Sequence, residues 1–191
     1  LLPPANTGLG FLEMVPDTDL LSLSDPDDAD GDGISGRPNW VLLPDYTIPR
    51  PDVLTQNGMY IGRFGKKSAV YDLLQQTARA YNQDMGIVSS YEPFDTYSGQ
   101  AFDPEVSNQT VQNVVFYLRT LKTPIPREQG DTEISAGKIL FEEIGCAECH
   151  RPMLQTGPSP IAALAYREIH PYTDLLLHDM GPGLDDGYTE G

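Results

Sequence analysis

Hydrophobic positions recur at helical spacing in three stretches of the chain. Ala69, Leu73, Leu74, Thr77, Ala78 and Tyr81 share one face of a predicted helix over residues 68–83, with Ser68 as its N-cap. Val111, Val114, Val115, Leu118 and Leu121 define a second over 108–122, stopped by Pro124. A third is predicted over 135–144, where Gly137 and Phe141 fall on one face. Shorter signals flank these. Phe11-Leu12-Glu13-Met14-Val15 reads as a brief helix ended by Pro16, and Asp17-Thr18-Asp19 caps another short turn. A last helical piece is expected over 161–166.

Between these elements the pattern breaks down. Residues 40–67 mix Pro and Gly with Val, Ile and Tyr, which predicts irregular structure and two short strands. Residues 91–99 form an aromatic-rich loop, and 123–130, with Pro124, Pro126 and Gly130, read as a linker. The expected class is mainly α with long irregular loops and short strands. The expected division is a loop-rich helical domain over 1–126 and a second domain beginning at 127 and running to 191.

Composition narrows the function. The chain holds 28 acidic residues against 12 Lys and Arg, a formal net charge of −16. Such a surface argues against nucleic acid and anionic membrane, both polyanions, and is compatible with a basic protein partner, a cation or simple solubility. The longest apolar run, Val114-Val115-Phe116-Tyr117-Leu118, is far short of the ~20 residues of a membrane span. The 18 Gly and 17 Pro make the chain loop-rich without implying disorder. It opens at Leu1 with no leader and stops at Thr189-Glu190-Gly191 with no closing element, so an internal piece of a longer protein is expected.

The two cysteines stand in Cys146-Ala147-Glu148-Cys149-His150. Only His170 and His178 are available to complete a zinc site, and the motif closes a helix where a thioredoxin-type pair would open one. Cys-x-x-Cys-His is the attachment signature of a c-type haem. Two thiols add to the two vinyl groups, and the adjacent imidazole becomes an axial ligand. Gly145 allows the sharp turn into Cys146. For the other side of the iron the chain offers Met180, alternatively an ordinary core methionine, and then His178. Met153 follows His150 too closely to cross the ring, and His170 before Pro171 reads as a hydrogen-bonding loop residue. The oligomeric state is not legible.

A second metal is suggested by Asp28-Ala29-Asp30-Gly31-Asp32-Gly33-Ile34. Carboxylates at alternate positions, a glycine turn and the Ile34 carbonyl match the first half of a calcium loop. Asn39 stands where an EF-hand has Glu, so this is not a standard EF-hand, and Asp25 or Asp27 are further oxygen donors upstream. A solvated acidic turn is the competing reading.

Several strings together carry a resemblance: the acidic segment Asp25 through Asn39, Gly62-Arg63-Phe64-Gly65, Asp84-Met85-Gly86-Ile87, Gly145 through His150, and Pro171 through Gly181. In this order they resemble the bacterial dihaem oxidoreductases, which are distantly similar to dihaem cytochrome c peroxidases. The resemblance implies cytochrome c-like domains and an exported protein of the bacterial periplasm or envelope. It also implies two haems, of which one motif is present, and Lys66 departs from the family's usual aromatic. In a peroxidase reading His178 and Asp179 are the candidate catalytic base pair, and Arg63 is a candidate partner for a haem carboxylate or for a surface acid. The alternatives are an electron-transfer cytochrome c without substrate chemistry, or a calcium-stabilised structural piece with a vestigial haem site. Each redox reading implies a redox protein partner, suited by charge to be basic.

Overall fold

The computed structural model describes residues 5–185 apart from 126 and 129, together with 187. Pro126, at the expected domain boundary, lies outside the described residues, as do the two ends of the chain. Two short helices open the fold: α1 (Leu9–Glu13) and α2 (Asp17–Ser22), with Pro16 as the α2 N-cap. Strands β1 (Gly36–Arg37), β2 (Trp40–Val41), β3 (Thr55–Gln56) and β4 (Met59–Ile61) follow. Then come α3 (Leu73–Arg79), continued by a π-turn over Ala80–Asp84, and α4 (Asn108–Thr120). The remainder is α5 (Thr132–Glu143), α6 (Cys146–Cys149), β5 (Leu154–Gln155), a 3-10 turn (Ala162–Leu164), β6 (Glu168–Ile169) and β7 (Leu177–His178).

The mainly helical, cytochrome c-like expectation is corrected by this arrangement. Helix accounts for 31% and strand for 11% of the structure, and the rest is loop. The strands form small antiparallel sheets ordered β1-β7, β2-β4-β3 and β5-β6. The physical reason lies in the frequent Pro and Gly, which stop helices early, so loops close the core instead. The helix expected from Ser68 also starts later. Ser68 adopts a positive φ of 51° and donates its hydroxyl to the Leu175 carbonyl, 3.1 Å away. Asp72 is the N-cap instead, accepting the Gln75 N–H at 2.7 Å, while Gln75 accepts the Tyr71 N–H at 2.9 Å.

Two apolar clusters hold the chain together. Phe64, Val70 and Leu73 pack with Val111 and Val115 between α3 and α4. Val15, Leu20 and Ile61 pack with Leu154, Ile169 and Leu175, which joins residues from both sides of position 126. Each buried aliphatic side chain contributes about 1.5–3 kcal/mol. A buried ionic network braces the first cluster: Arg119 donates to both oxygens of Glu13, and Arg63 and Arg50 both pair with Asp17. Glu13 also accepts the Leu73 N–H at 2.9 Å, so it tethers α1 to α3 as well as to α4. By contrast α5 buries none of its residues. No helix among the described residues is long and apolar enough to cross a membrane.

Candidate functional site

The cysteine motif is set by the helix before it. Asp131 caps α5 by accepting the Glu133 and Ile134 N–H groups at 2.7 and 3.4 Å. Gly145 then takes a left-handed φ of 81°, a conformation that favours glycine, and the chain turns directly into α6. Both cysteines are free and half-buried. His150 closes α6 through its backbone N–H to the Cys146 carbonyl at 3.0 Å. Its Nδ1 donates to the Tyr172 carbonyl at 3.1 Å, and its Nε2 has no hydrogen-bond partner among the described residues.

A cleft of about 500 Å³ is walled by Ile134, Gly137, Phe141, Met153 and Tyr172 among others; His150 and the two cysteines do not line it, but Phe141 and Tyr172 connect it to the His150 ring. The Phe141 ring stands 6.4 Å from the His150 ring and packs edge-on against Tyr172, with centroids 5.7 Å apart. Tyr172 itself holds a positive φ of 52°, and Leu175 one of 61°. Non-glycine residues in that region cost energy, so the backbone presenting the Tyr172 carbonyl is held there by its surroundings. A larger cleft, of about 710 Å³, lies near Glu13, Asp17 and Arg50, and none of the cysteines or histidines lines it.

Cys149 belongs to a second constellation. Its Sγ lies 3.6 Å from Nδ1 of His178, and His178 Nε2 lies 2.7 Å from an oxygen of buried Asp174. With Asp174 accepting from Nε2, a neutral His178 presents Nδ1 as an acceptor to the thiol. Burial pushes the Cys149 thiol up from its ordinary value, helped by the negative charges of Asp174, Asp32 and Glu148. Gly36 makes room for this ring. A Cβ there would stand 3.1 Å from His178 Cε1 and 3.0 Å from Leu176 Cδ1. The pairing of β1 with β7 sets Gly36 opposite His178.

The other sequence-derived residues are distributed as follows. Met180 is exposed and lines a hollow of about 430 Å³ with Lys67, His178 and Asp179, apart from the cleft beside His150. Asp179 accepts the Gly181 N–H at 2.8 Å. His170 lines the cleft with Met153, but its Nδ1 donates to the Pro152 carbonyl at 3.0 Å and its Nε2 lies 3.5 Å from Glu168. Arg63 is wholly buried against Asp17, which removes it from any surface role.

In the acidic loop, carboxylate oxygens of Asp25, Asp28 and Asp30 lie within 4.8 Å of one another. Asp25 accepts the Ala29 N–H at 2.9 Å, Asp28 accepts that of Gly33 at 3.0 Å, and Asp32 accepts that of Ile34 at 2.7 Å. Asp25 thus joins Asp28 and Asp30, while Asp32 caps the turn into Ile34. The loop closes through the Asp25 N–H to the Gly36 carbonyl at 2.9 Å, which ties it to the strand opposite His178. Two participants, Asp174 and the Tyr172 carbonyl, were not expected from sequence. The spacing of Asp174 four residues before His178 was the available signal for the first; a backbone carbonyl leaves none.

No curated protein and no solved structure matches the chain. A family model described as "Di-haem oxidoreductase, putative peroxidase" matches residues 4–190, nearly its whole length. With the Cys-x-x-Cys-His helix, the freed imidazole nitrogen and the adjoining apolar cleft, that match establishes that the chain belongs to the di-haem oxidoreductase family.

Proposed function

We propose that this chain carries one covalently attached c-type haem of a peroxidase-type di-haem oxidoreductase. The observation that carries this reading is the His150 Nδ1 contact to the Tyr172 carbonyl. Metal-ligating histidines commonly donate one ring nitrogen to a carbonyl, which fixes the tautomer and leaves the other nitrogen basic. The residues around it fit the group. The cleft is largely apolar, Phe141 and Tyr172 border it near the imidazole, and Ile139 and Leu140 of α5 and Ile144 just after it are exposed before the motif. Cys146 and Cys149 would hold the ring through thioether bonds and His150 would ligate the iron. A bound haem supplies the redox-active iron that stores electrons and meets a small oxidant.

The peroxidase reading is favoured over pure electron transfer by the distal candidates. Met180 lies outside the cleft, Met153 follows His150 too closely, and both His170 nitrogens have partners. Among the described residues none of these is a free ligand for a haem iron, and the description of the matched family includes "putative peroxidase". His178 donates Nε2 to buried Asp174 and turns Nδ1 to the Cys149 sulfur at 3.6 Å, so it is a base candidate for a reactant in the hollow it shares with Met180, outside the cleft. Asp179 is its less favoured neighbour, because its carboxylate is committed to a turn.

Asp25, Asp28 and Asp30, with Asp32 and the Ile34 carbonyl, are proposed to hold calcium, which would offset their mutual repulsion and pin the loop. An exported protein of the bacterial envelope is the setting implied by covalent haem attachment in the resembling family. The remaining acidity, within a net charge of −16, suits steering toward a basic redox partner. Expression with and without c-type haem maturation tests the core of this reading. Covalent haem that disappears on Cys146→Ala and Cys149→Ala supports it, and a chain that never acquires haem overturns it.

A further inference from the structure

We infer that the cavity of about 710 Å³ near Glu13 and Arg50 binds a small apolar amine, with its ammonium group on Asp72 and its body against the apolar walls. The volume falls in the range of small-molecule sites. Val15, Pro16, Ile48, Phe116, Ile161 and Leu164 line it, from four separate stretches of the chain. The wall after Gly157 is held against the end of α1. The Gly157 N–H donates to the Met14 carbonyl at 2.8 Å, and a Cβ on Gly157 would stand 3.2 Å from Pro16 Cγ. None of the cysteines or histidines lines the cavity, so the site is separate from the haem motif and does not depend on it.

The pairing of charges places the ammonium. Glu13 is taken by Arg119, which donates to its two oxygens at 2.6 and 3.1 Å. Asp17 is taken by Arg50 and Arg63. Arg50 is fixed further by donating to the Glu13 carbonyl and by lying over the Tyr71 ring, 5.3 Å from its centroid. Asp72 also lines the cavity, is only 7% exposed, and forms no ion pair among the described residues. One of its oxygens accepts the Gln75 N–H at 2.7 Å. The other has no hydrogen-bond partner among the described residues, yet it is not sealed from solvent. Burial pushes the Asp72 carboxyl up, and the Glu13 charge adds to this against the Gln75 hydrogen bond and the charges of Arg119 and Arg50. Asp52, exposed at the rim, adds a further negative charge. A buried carboxylate with one unpartnered oxygen, opening on an apolar cavity, is matched by an ammonium on an apolar body. A carboxylate ligand is disfavoured, because both guanidiniums lining the cavity already hold acids.

The test titrates the 191-residue chain, made with c-type haem maturation, with phenethylamine, phenethyl alcohol and phenylacetate in a calorimeter. The three share one carbon skeleton and differ in charge. The amine should bind about tenfold more tightly than either of the others, as expected for one charge-assisted contact in a buried setting. Asp72→Asn should bring the amine and the alcohol within about twofold of each other. Asn caps a helix as well as Asp does, so this variant should keep the circular dichroism of the unchanged chain. Phe116→Ala, at an exposed ring, should weaken the amine about threefold and keep its preference over the alcohol. Amine binding that survives Asp72→Asn, at the iron or on the acidic surface, overturns the inference. Equal binding of the three, tighter binding of phenylacetate, or no binding of the amine overturns it as well. So does an amine affinity unchanged by Phe116→Ala, and each of these results leaves the haem assignment standing.

Discussion

Nδ1 of His150 lies 3.1 Å from the carbonyl oxygen of Tyr172 across 22 residues of chain. The contact is strained into place, since Tyr172 holds a positive φ of 52°. It fixes the imidazole proton on Nδ1 and leaves Nε2 as the free lone pair, which is the arrangement an iron ligand needs. Replacing Tyr172 by glycine, which adopts that φ freely, should keep haem attachment and remove the Phe141 edge contact. The predicted result is unchanged haem content with an altered absorption spectrum, and loss of covalent haem would count against a role limited to packing.

Asp174 is buried and accepts two hydrogen bonds, from His178 Nε2 at 2.7 Å and from the Leu176 N–H at 3.0 Å. Asp174→Asn should lower stability by about 1–3 kcal/mol. Thermal unfolding followed by circular dichroism measures this directly. An unchanged midpoint would show that the pair contributes nothing to the fold.

The Cys149 thiol is held above its ordinary value of 9.0 by burial and by Asp174, Asp32 and Glu148. The thiolate is the reactive form, so the alkylation profile of Cys149 in the haem-free chain should lie toward more alkaline pH than that of an ordinary thiol. Removing the Asp174 charge should shift the profile toward lower pH. Peptide mapping after iodoacetamide treatment across pH reads the effect, and a profile at or below that of an ordinary exposed thiol would contradict it.

His178 and Asp179 are neighbours with different environments, and only His178 has a buried carboxylate behind it. In the haem-loaded protein His178→Gln should slow peroxide reduction by about 10²-fold, the lower range for loss of a general base. Asp179→Asn should stay within about threefold of the unchanged protein. Gly36→Ala should follow His178→Gln, since the added Cβ would stand 3.1 Å from the His178 ring. Equal effects at positions 178 and 179 would remove the distinction.

Calcium should raise the melting temperature of the chain, and a chelator should lower it. Binding at a hundredfold over Kd contributes about 2.7 kcal/mol. Asp28→Asn with Asp30→Asn should abolish the response, and identical melting in calcium and chelator would exclude the site.

The legible parts of this chain were those encoded locally. The periodicity of Val111, Val115 and Leu118 marks α4 to within a few residues, and Pro16 separates α1 from α2. The Cys146–His150 spacing and the Gly145 turn were equally visible. What stayed hidden depends on distant partners. β1 has two residues and exists because Gly36 and Arg37 pair with His178 and Leu177, more than 100 positions away. Ser68 looks like a helix cap by its neighbours, but its hydroxyl is drawn to the Leu175 carbonyl. Arg63 looks available until Asp17 is folded against it. Short strands and buried ion pairs leave little periodic trace, so a helical reading of the whole was the natural error.

The central claim is that Cys146, Cys149 and His150 hold a haem covalently. Pyridine haemochrome spectroscopy on the denatured chain, made with c-type haem maturation, tests it most directly. The predicted result is one haem per chain with an α-band typical of two saturated vinyl groups, retained after acid–acetone extraction. Haem fully extractable into the organic phase, or none at all, would contradict the account.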